Sequence, residues 1–280
     1  MKNFGIKILL SALLLSGFHN QIVAQGTPSD GNNILSGYNQ YLKAVNLDEG
    51  KILNKDLLNK FLQIATKDNW YSEIKFWISA QWGMKESKGV IAKQYELRGN
   101  DLETSVMSLR PKKITDGDLF GVEYDGTGNY NENKDFKAQQ PLSVLIVFKA
   151  DKNANENVLF DTKADKTNQI SIATNKDGES ELVIRSSGEL RLKGIKDGIN
   201  VVYIEYNIKN SNVFINGDLA YSGVIGKSEF DGIVIGKGKN RDKVDYLKGT
   251  MYECGIINDI ITAEARTSLI NFMKEVYHVN

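Results

Sequence analysis

One cysteine, three prolines and two histidines in 280 residues exclude several chemistries before any pattern is read. A lone thiol, Cys254, closes no intramolecular disulfide, so the fold must rest on its packed core. Neither a four-ligand zinc cage nor a Ser–His or Cys–His nucleophile system can be assembled when His278 is the only histidine after residue 24. Excess charge of one sign is also missing. The chain has 35 basic and 35 acidic residues, interspersed along its length, which supplies no clustered positive field for nucleic acid. Apolar runs stay well short of the ~20 residues that span a bilayer.

What is present begins with an export signal. Lys2 and Lys7 precede the apolar run Ile8 to Leu15, and Ile22-Val23-Ala24 offers small-residue cleavage before Gln25. Residues 1–24 therefore read as a signal peptide, and the protein is expected in the periplasm or outside the cell. Losing Lys2 and Lys7 takes the balance to 33 bases against 35 acids, about −2. Residues 25–33, rich in Gly, Ser, Asn and Asp, read as a flexible lead-in.

Residues 34–89 read as a helical extension. Asn54 can cap a helix in which Leu53, Leu57, Leu58, Phe61, Leu62 and Ala65 share a face, with Asp56 in the first turn. Trp70, Ile74, Trp77 and Ile78 then fall at helical spacing before Gly83, which predicts a second helix whose stripe docks on the body. Trp82 lies beyond that stripe and is the tryptophan freest to stack on a ligand.

From Val90 the period changes to that of strands. Nine are expected: 142–150, 157–162, 169–174, 181–186, 200–207, 212–215, 219–222, 230–237 and 248–258. Asp116-Gly117, Asp125-Gly126, Asp177-Gly178, Asp197-Gly198 and Asn216-Gly217 suit tight hairpins between them, because each sets a residue tolerant of positive φ beside glycine. A last helix begins at a Thr262 cap and turns Leu269, Phe272, Met273 and Val276 to one side. Many short antiparallel strands with few helices predict a mainly β, two-sheet jelly-roll sandwich over residues 90–280.

The order Gly121-Val-Glu-Tyr-Asp-Gly126, Pro141-Leu-Ser-Val-Leu-Ile-Val-Phe148, Val213-Phe-Ile-Asn-Gly217, Lys248-Gly-Thr-Met-Tyr-Glu253 and Thr262-Ala-Glu264 resembles the concanavalin A-like, laminin G/pentraxin-type domains of bacterial secreted proteins. That resemblance spans roughly residues 70–280. It implies a lectin-like sandwich and, often, binding of carbohydrate or cell surfaces; it implies no activity, since this fold hosts both binders and enzymes.

Enzymatic chemistry lacks a complete set. Glucanases of this fold carry carboxylates in a pattern like Glu-x-Asp-x-x-Glu on one strand. Glu229-Phe230-Asp231 supplies the first two, but Val234 stands where the third belongs. Glu179 and Glu181 adjoin a turn and read as a solvated edge. The oxygen-rich segment Asp125–Asp135 invites calcium, yet against the EF-hand pattern Lys134 takes the glycine position and Gln140 the glutamate position, so no cofactor is expected, with calcium as the alternative that lacks a full motif.

A glycan site needs an aromatic platform beside planar polar groups. Two loops offer both: Tyr130 with Asn131 and Asp135, and Arg241 with Asp245 and Tyr246. The expected function is a secreted, non-catalytic carbohydrate-binding or adhesive module whose partner is a polysaccharide or cell-surface glycan. The alternatives are a glycan-active hydrolase or lyase of the same fold, and a protein-interaction module that docks through the helices.

Overall fold

The computed structural model describes residues 28–151, 156–162, 168–240 and 243–280. The signal peptide expected over 1–24 and the candidate Arg241 lie outside them. Helix α1 (Pro28–Leu47) precedes β1 (Lys51–Ile52) and α2 (Lys55–Lys67). Then come β2 (Ile74–Ser79), β3 (Gly83–Ser87), β4 (Val90–Gln94), β5 (Leu102–Glu103), β6 (Lys112–Asp116), β7 (Leu119–Asp125) and β8 (Asn131–Ala138). The body continues through β9 (Leu142–Ala150), β10 (Asn157–Asp161), β11 (Gln169–Thr174), β12 (Ser180–Arg185), β13 (Glu189–Leu192) and β14 (Asn200–Tyr206). It closes with β15 (Ser211–Ile215), β16 (Asp218–Gly223), β17 (Phe230–Ile235), β18 (Lys237–Asn240), β19 (Lys243–Tyr246), β20 (Lys248–Ile257) and α3 (Ala263–Val276).

The strands form two large antiparallel sheets and a ribbon. The first sheet runs β1-β3-β4-β5-β8-β17-β10-β11-β12-β13, the second β16-β15-β14-β9-β20-β7-β6, and β18 pairs only with β19. The expected mainly β sandwich is therefore what the chain builds, and each of the nine expected strands is present with its ends shifted by at most two residues.

Alternation along the strands of the second sheet sets the layering. In β9, Leu142, Val144, Ile146 and Phe148 enter the core shared with the first sheet. Leu145 and Val147 of the same strand face the other way, into a cluster built with Leu58, Phe61, Leu269 and Met273 of α2 and α3. Strand β14 divides likewise, with Val202 and Ile204 in one cluster and Val201 and Tyr203 in the other. A strand apolar on both faces must be covered on both. The second sheet is thus the middle layer of three, and the helices close its outer side.

Both helix caps expected from sequence are made. Asn54 Oδ1 accepts the Leu57 N–H at 3.0 Å, and Thr262 Oγ1 accepts that of Ala265 at 3.2 Å. Each satisfies a donor that the first helical turn leaves open.

Three expectations are corrected. Residues 28–33 belong to α1 and not to a flexible lead-in. The helix expected through Trp70–Ile78 is a single 3₁₀ turn over Tyr71–Glu73 followed by β2, which pairs with β20. A register shift between Ile74 and Phe76 sends Ile74 and Trp77 to the helix side and Phe76 and Ile78 to the sandwich core. A strand apolar on both faces with a bulge imitates helical spacing. Of the five Asx-Gly turns, 116–117, 177–178 and 216–217 close hairpins, whereas 125–126 and 197–198 carry the chain from one sheet to the other. Positive φ makes the reversal possible; the next strand's partner is decided elsewhere.

Candidate functional site

With helices over the second sheet, the outer face of the first sheet is the sheet surface left to meet a ligand. Register places Gln169 opposite Arg185, and Arg185 opposite Glu189, while Ser171 faces Val183 and Val183 faces Arg191. Opposed residues share a face, so β11, β12 and β13 present a polar row outward. Arg185 anchors it. Its guanidinium pairs with both oxygens of Glu156, donates to Gln169 Oε1 at 2.6 Å and meets Glu189 Oε2 from Nη2 at 2.9 Å. Gln169 passes the contact on, donating from Nε2 to Asp161 Oδ2 at 3.0 Å. Ser171 donates to Glu156 as well. A bidentate Arg–carboxylate pair with its remaining donors used is the arrangement that tolerates partial burial.

The β18–β19 ribbon lies across this network. Its closest approach is at Gly238, where an added Cβ would sit 2.5 Å from Gln169 Nε2, 2.7 Å from Asp161 Oδ2 and 2.7 Å from Val158 Cγ1. Only a residue without a side chain fits there. Gly238→Val is expected to push the ribbon off the sheet, lowering the unfolding free energy by about 1–3 kcal/mol. Hydrogen exchange should quicken at the amides of β10 and β11 under the ribbon while those of β9 and β14 stay protected; unchanged exchange at β10 would show that the ribbon does not cover it.

On the ribbon's other face, Lys237 is opposite Tyr246. The Lys237 ammonium stands 4.2 Å from the centroid of the Tyr130 ring. Burial, then the charges of Glu132 and of Tyr246, raise the Tyr130 phenol above its ordinary pKa, against the opposing pull of Lys134. Tyr130 and Tyr246, which sequence set in two separate loops, are thus brought to one place, with Lys237 between them. Sequence reasoning passed over Lys237, Arg185, Gln169 and Asp161. The alternation of polar residues along Gln169-Ile-Ser-Ile and the apolar positions between them is the signal that marks the outward face of β11, where Gln169 and Ser171 are nonetheless buried.

Other candidates fall elsewhere. Trp82 is 1% exposed, its ring 4.8 Å from that of Phe61 in the helix-side cluster, so no ligand on the open face reaches it. Asn131 is 1% exposed; it donates to Gln94 Oε1 at 2.8 Å and accepts from Thr104 at 3.2 Å, which makes it a core polar group. Asp135 is exposed on β8 beyond an irregularity where Asn133 Oδ1 takes the N–H groups of Asp135 and Phe136. Asp245 lies opposite Gly238.

The acids weighed for catalysis are dispersed. Glu229 accepts from Gln139 Nε2 at 3.2 Å at the entrance to β17, and Asp231, opposite Lys137, is on that strand. Both line a cleft of about 340 Å³ with Lys137 and Ser228. Glu179 pairs with Lys193 at 2.8 Å and Glu181 with Arg191 at 3.7 Å. The two carboxyls raised to about 7 by burial, Glu96 and Glu253, are sealed inside the molecule. Burial also lifts the Cys254 thiol far above its ordinary range, an inert setting. In the loop considered for calcium, the Asp125 carboxylate accepts the N–H groups of Thr127 at 2.8 Å and Gly128 at 3.3 Å, closing its own turn. Among the described residues, no three His, Cys, Asp or Glu side chains gather as a metal site, and no helix is long and apolar enough to cross a membrane.

No family model matches the sequence, and no curated protein matches it. Solved structures do share the fold. Trypanosoma rangeli sialidase in complex with 2,3-difluorosialic acid superposes with a TM-score of 0.53 and 9% identity, over 73% of this chain and 33% of that one. A GH54 α-L-arabinofuranosidase soaked with a cyclic sulfate inhibitor gives 0.52 and 11%, over 67% and 51%. The ligand binding domain of botulinum neurotoxin serotype D in complex with N-acetylneuraminic acid gives 0.50 and 15%, over 71% and 50%. The chain spans a third to a half of the length of these proteins. At such identities the likeness shows a β-sandwich and nothing finer.

Proposed function

We propose that this protein is an exported, non-catalytic carbohydrate-binding module of the concanavalin A-like, laminin G-type kind. The observation that carries the reading is the convergence of Tyr130 and Tyr246 about Lys237 on the side of the ribbon turned away from the first sheet. Sugars are held by an aromatic face against the apolar side of the ring and polar groups at its substituents; Tyr246 supplies the first and the Lys237 ammonium the second, while Gln169 and Asp161 lie buried beneath the ribbon. The sandwich neighbours include proteins bound to sialic-acid compounds, and the export signal read in residues 1–24 would put the module among extracellular glycans.

One face of Tyr130 is occupied by the Lys237 ammonium, which leaves Tyr246 as the platform. Tyr246→Ala is expected to keep the melting temperature within a few degrees and to abolish retardation in affinity electrophoresis on the polysaccharide that the wild type binds. Equal retardation of both proteins would remove Tyr246 from the site. The hydrolase reading rests on the cleft at Glu229 and Asp231. Reducing sugar released by wild type and lost in Glu229→Gln with Asp231→Asn would establish it in place of the binding module.

A further inference from the structure

Among the residues of the first sheet and its ribbon whose side chains are described, four cations are partly buried: Lys85, Lys93, Arg185 and Lys237. Three of them have carboxylate partners. Lys85 meets Asp48 at 2.7 Å, Lys93 meets Asp48 at 3.0 Å and Asp101 at 3.6 Å, and Arg185 pairs with Glu156 and Glu189. Lys237 has none among the described residues, and its recorded contact is the Tyr130 ring face. The acids around it are engaged. Glu132 pairs with Lys134 at 2.9 Å. Asp245 has a partner of its own and lies opposite Gly238 in the ribbon register.

A half-buried ammonium loses part of its hydration, and a ring quadrupole returns only a fraction of it. An anion completes the site at far smaller cost than a neutral hydroxyl, because a charge-assisted hydrogen bond is roughly twice as strong as a neutral one. We infer that Lys237 is the charge-recognition group of this face and that its ligand is an anionic saccharide, whose carboxylate or sulfate meets the ammonium while the sugar ring lies against Tyr246. This rests on the glycan-binding reading above and names the class of glycan.

The test is affinity electrophoresis of the exported protein and its variants in gels containing polygalacturonate (carboxylate), dextran sulfate (sulfate) or hydroxyethyl cellulose (neutral), each at ~20 mM and ~300 mM salt. Wild type is expected to bind at least one of the acidic polymers, and the added salt should weaken that binding severalfold. Lys237→Met, which keeps the aliphatic stem over Tyr130, should bind it about tenfold more weakly, and Lys237→Arg within about threefold of wild type. Which acidic gel retards the protein tells carboxylate from sulfate. Equal binding of an acidic polymer by wild type and Lys237→Met, with unchanged melting temperatures, overturns the inference. Retardation by the neutral polymer alone, in both proteins, overturns it while leaving the glycan-binding module standing. No retardation in any gel removes both.

Discussion

Trp77→Ala is expected to lower the unfolding free energy by about 4–5 kcal/mol, near the top of the range for a single substitution. The indole is fully buried, with ring centroids 4.6 Å from Phe61 and 6.0 Å from Trp70. Its Nε1–H donates to Glu253 Oε2 at 2.9 Å. Truncation therefore opens a large cavity and takes a donor from a buried carboxyl. The hole cannot refill from the facing strand, because the nearest position there is Gly255, where an added Cβ would lie 2.3 Å from the indole. Urea unfolding of Trp77→Ala beside Trp77→Phe checks this, with about half the loss expected for phenylalanine. A change below ~1 kcal/mol in the alanine variant would mean that the indole is not part of the core.

Stability is expected to fall by several kcal/mol between pH 5 and pH 8, owing to Glu96 and Glu253. Burial raises both carboxyls to about 7 from an ordinary 4.5. In Glu253 the hydrogen bonds from Ser79, Tyr277 and Trp77 oppose the shift, and in Glu96 those from the N–H groups of Asn100, Trp77 and Arg98 do so. The folded state thus holds protons that the unfolded state has released. Their contribution is complete below pH 4.5 and is lost as pH rises through about 7, at most about 3 kcal/mol for each group. Asp48, held far below its ordinary value chiefly by Lys85 and Lys93, works in the opposite sense but below this window. Urea unfolding at pH 5 and pH 8 measures the difference, and Glu253→Gln should reduce it by about half. A stability that is flat or rising over that interval would contradict the assignment.

These two side chains also show what a one-dimensional pattern can carry. The strand boundaries of β9 and β11 were legible because apolar residues and Asx-Gly turns are local signals, and the caps at Asn54 and Thr262 depend on residues three positions away. Trp77 was misread. Its spacing to Trp70 and Ile74 fits a helix, and only pairing with Cys254 and its neighbours, about 175 residues later, made the segment a strand. Glu253 carried no mark at all, since a glutamate in an apolar strand gains its meaning from Ser79, Trp77 and Tyr277 around it.

The candidate site divides in the same way. Tyr130 and Tyr246 were found in sequence as aromatics beside polar residues, but nothing local says that the ribbon sets Lys237 between them. Trp82 and Asn131 carried the same local signal and were drawn into the interior. The sequence by itself determined the fold class, the two capped helices and the nine strands expected from residue 142 onward, since propensity, period and turn chemistry act over a few residues. Which sheet face the helices cover, which aromatics stay outside and which lysine comes to lie over the Tyr130 ring were decided only in the tertiary structure, because burial and packing are set by residues far apart in the chain.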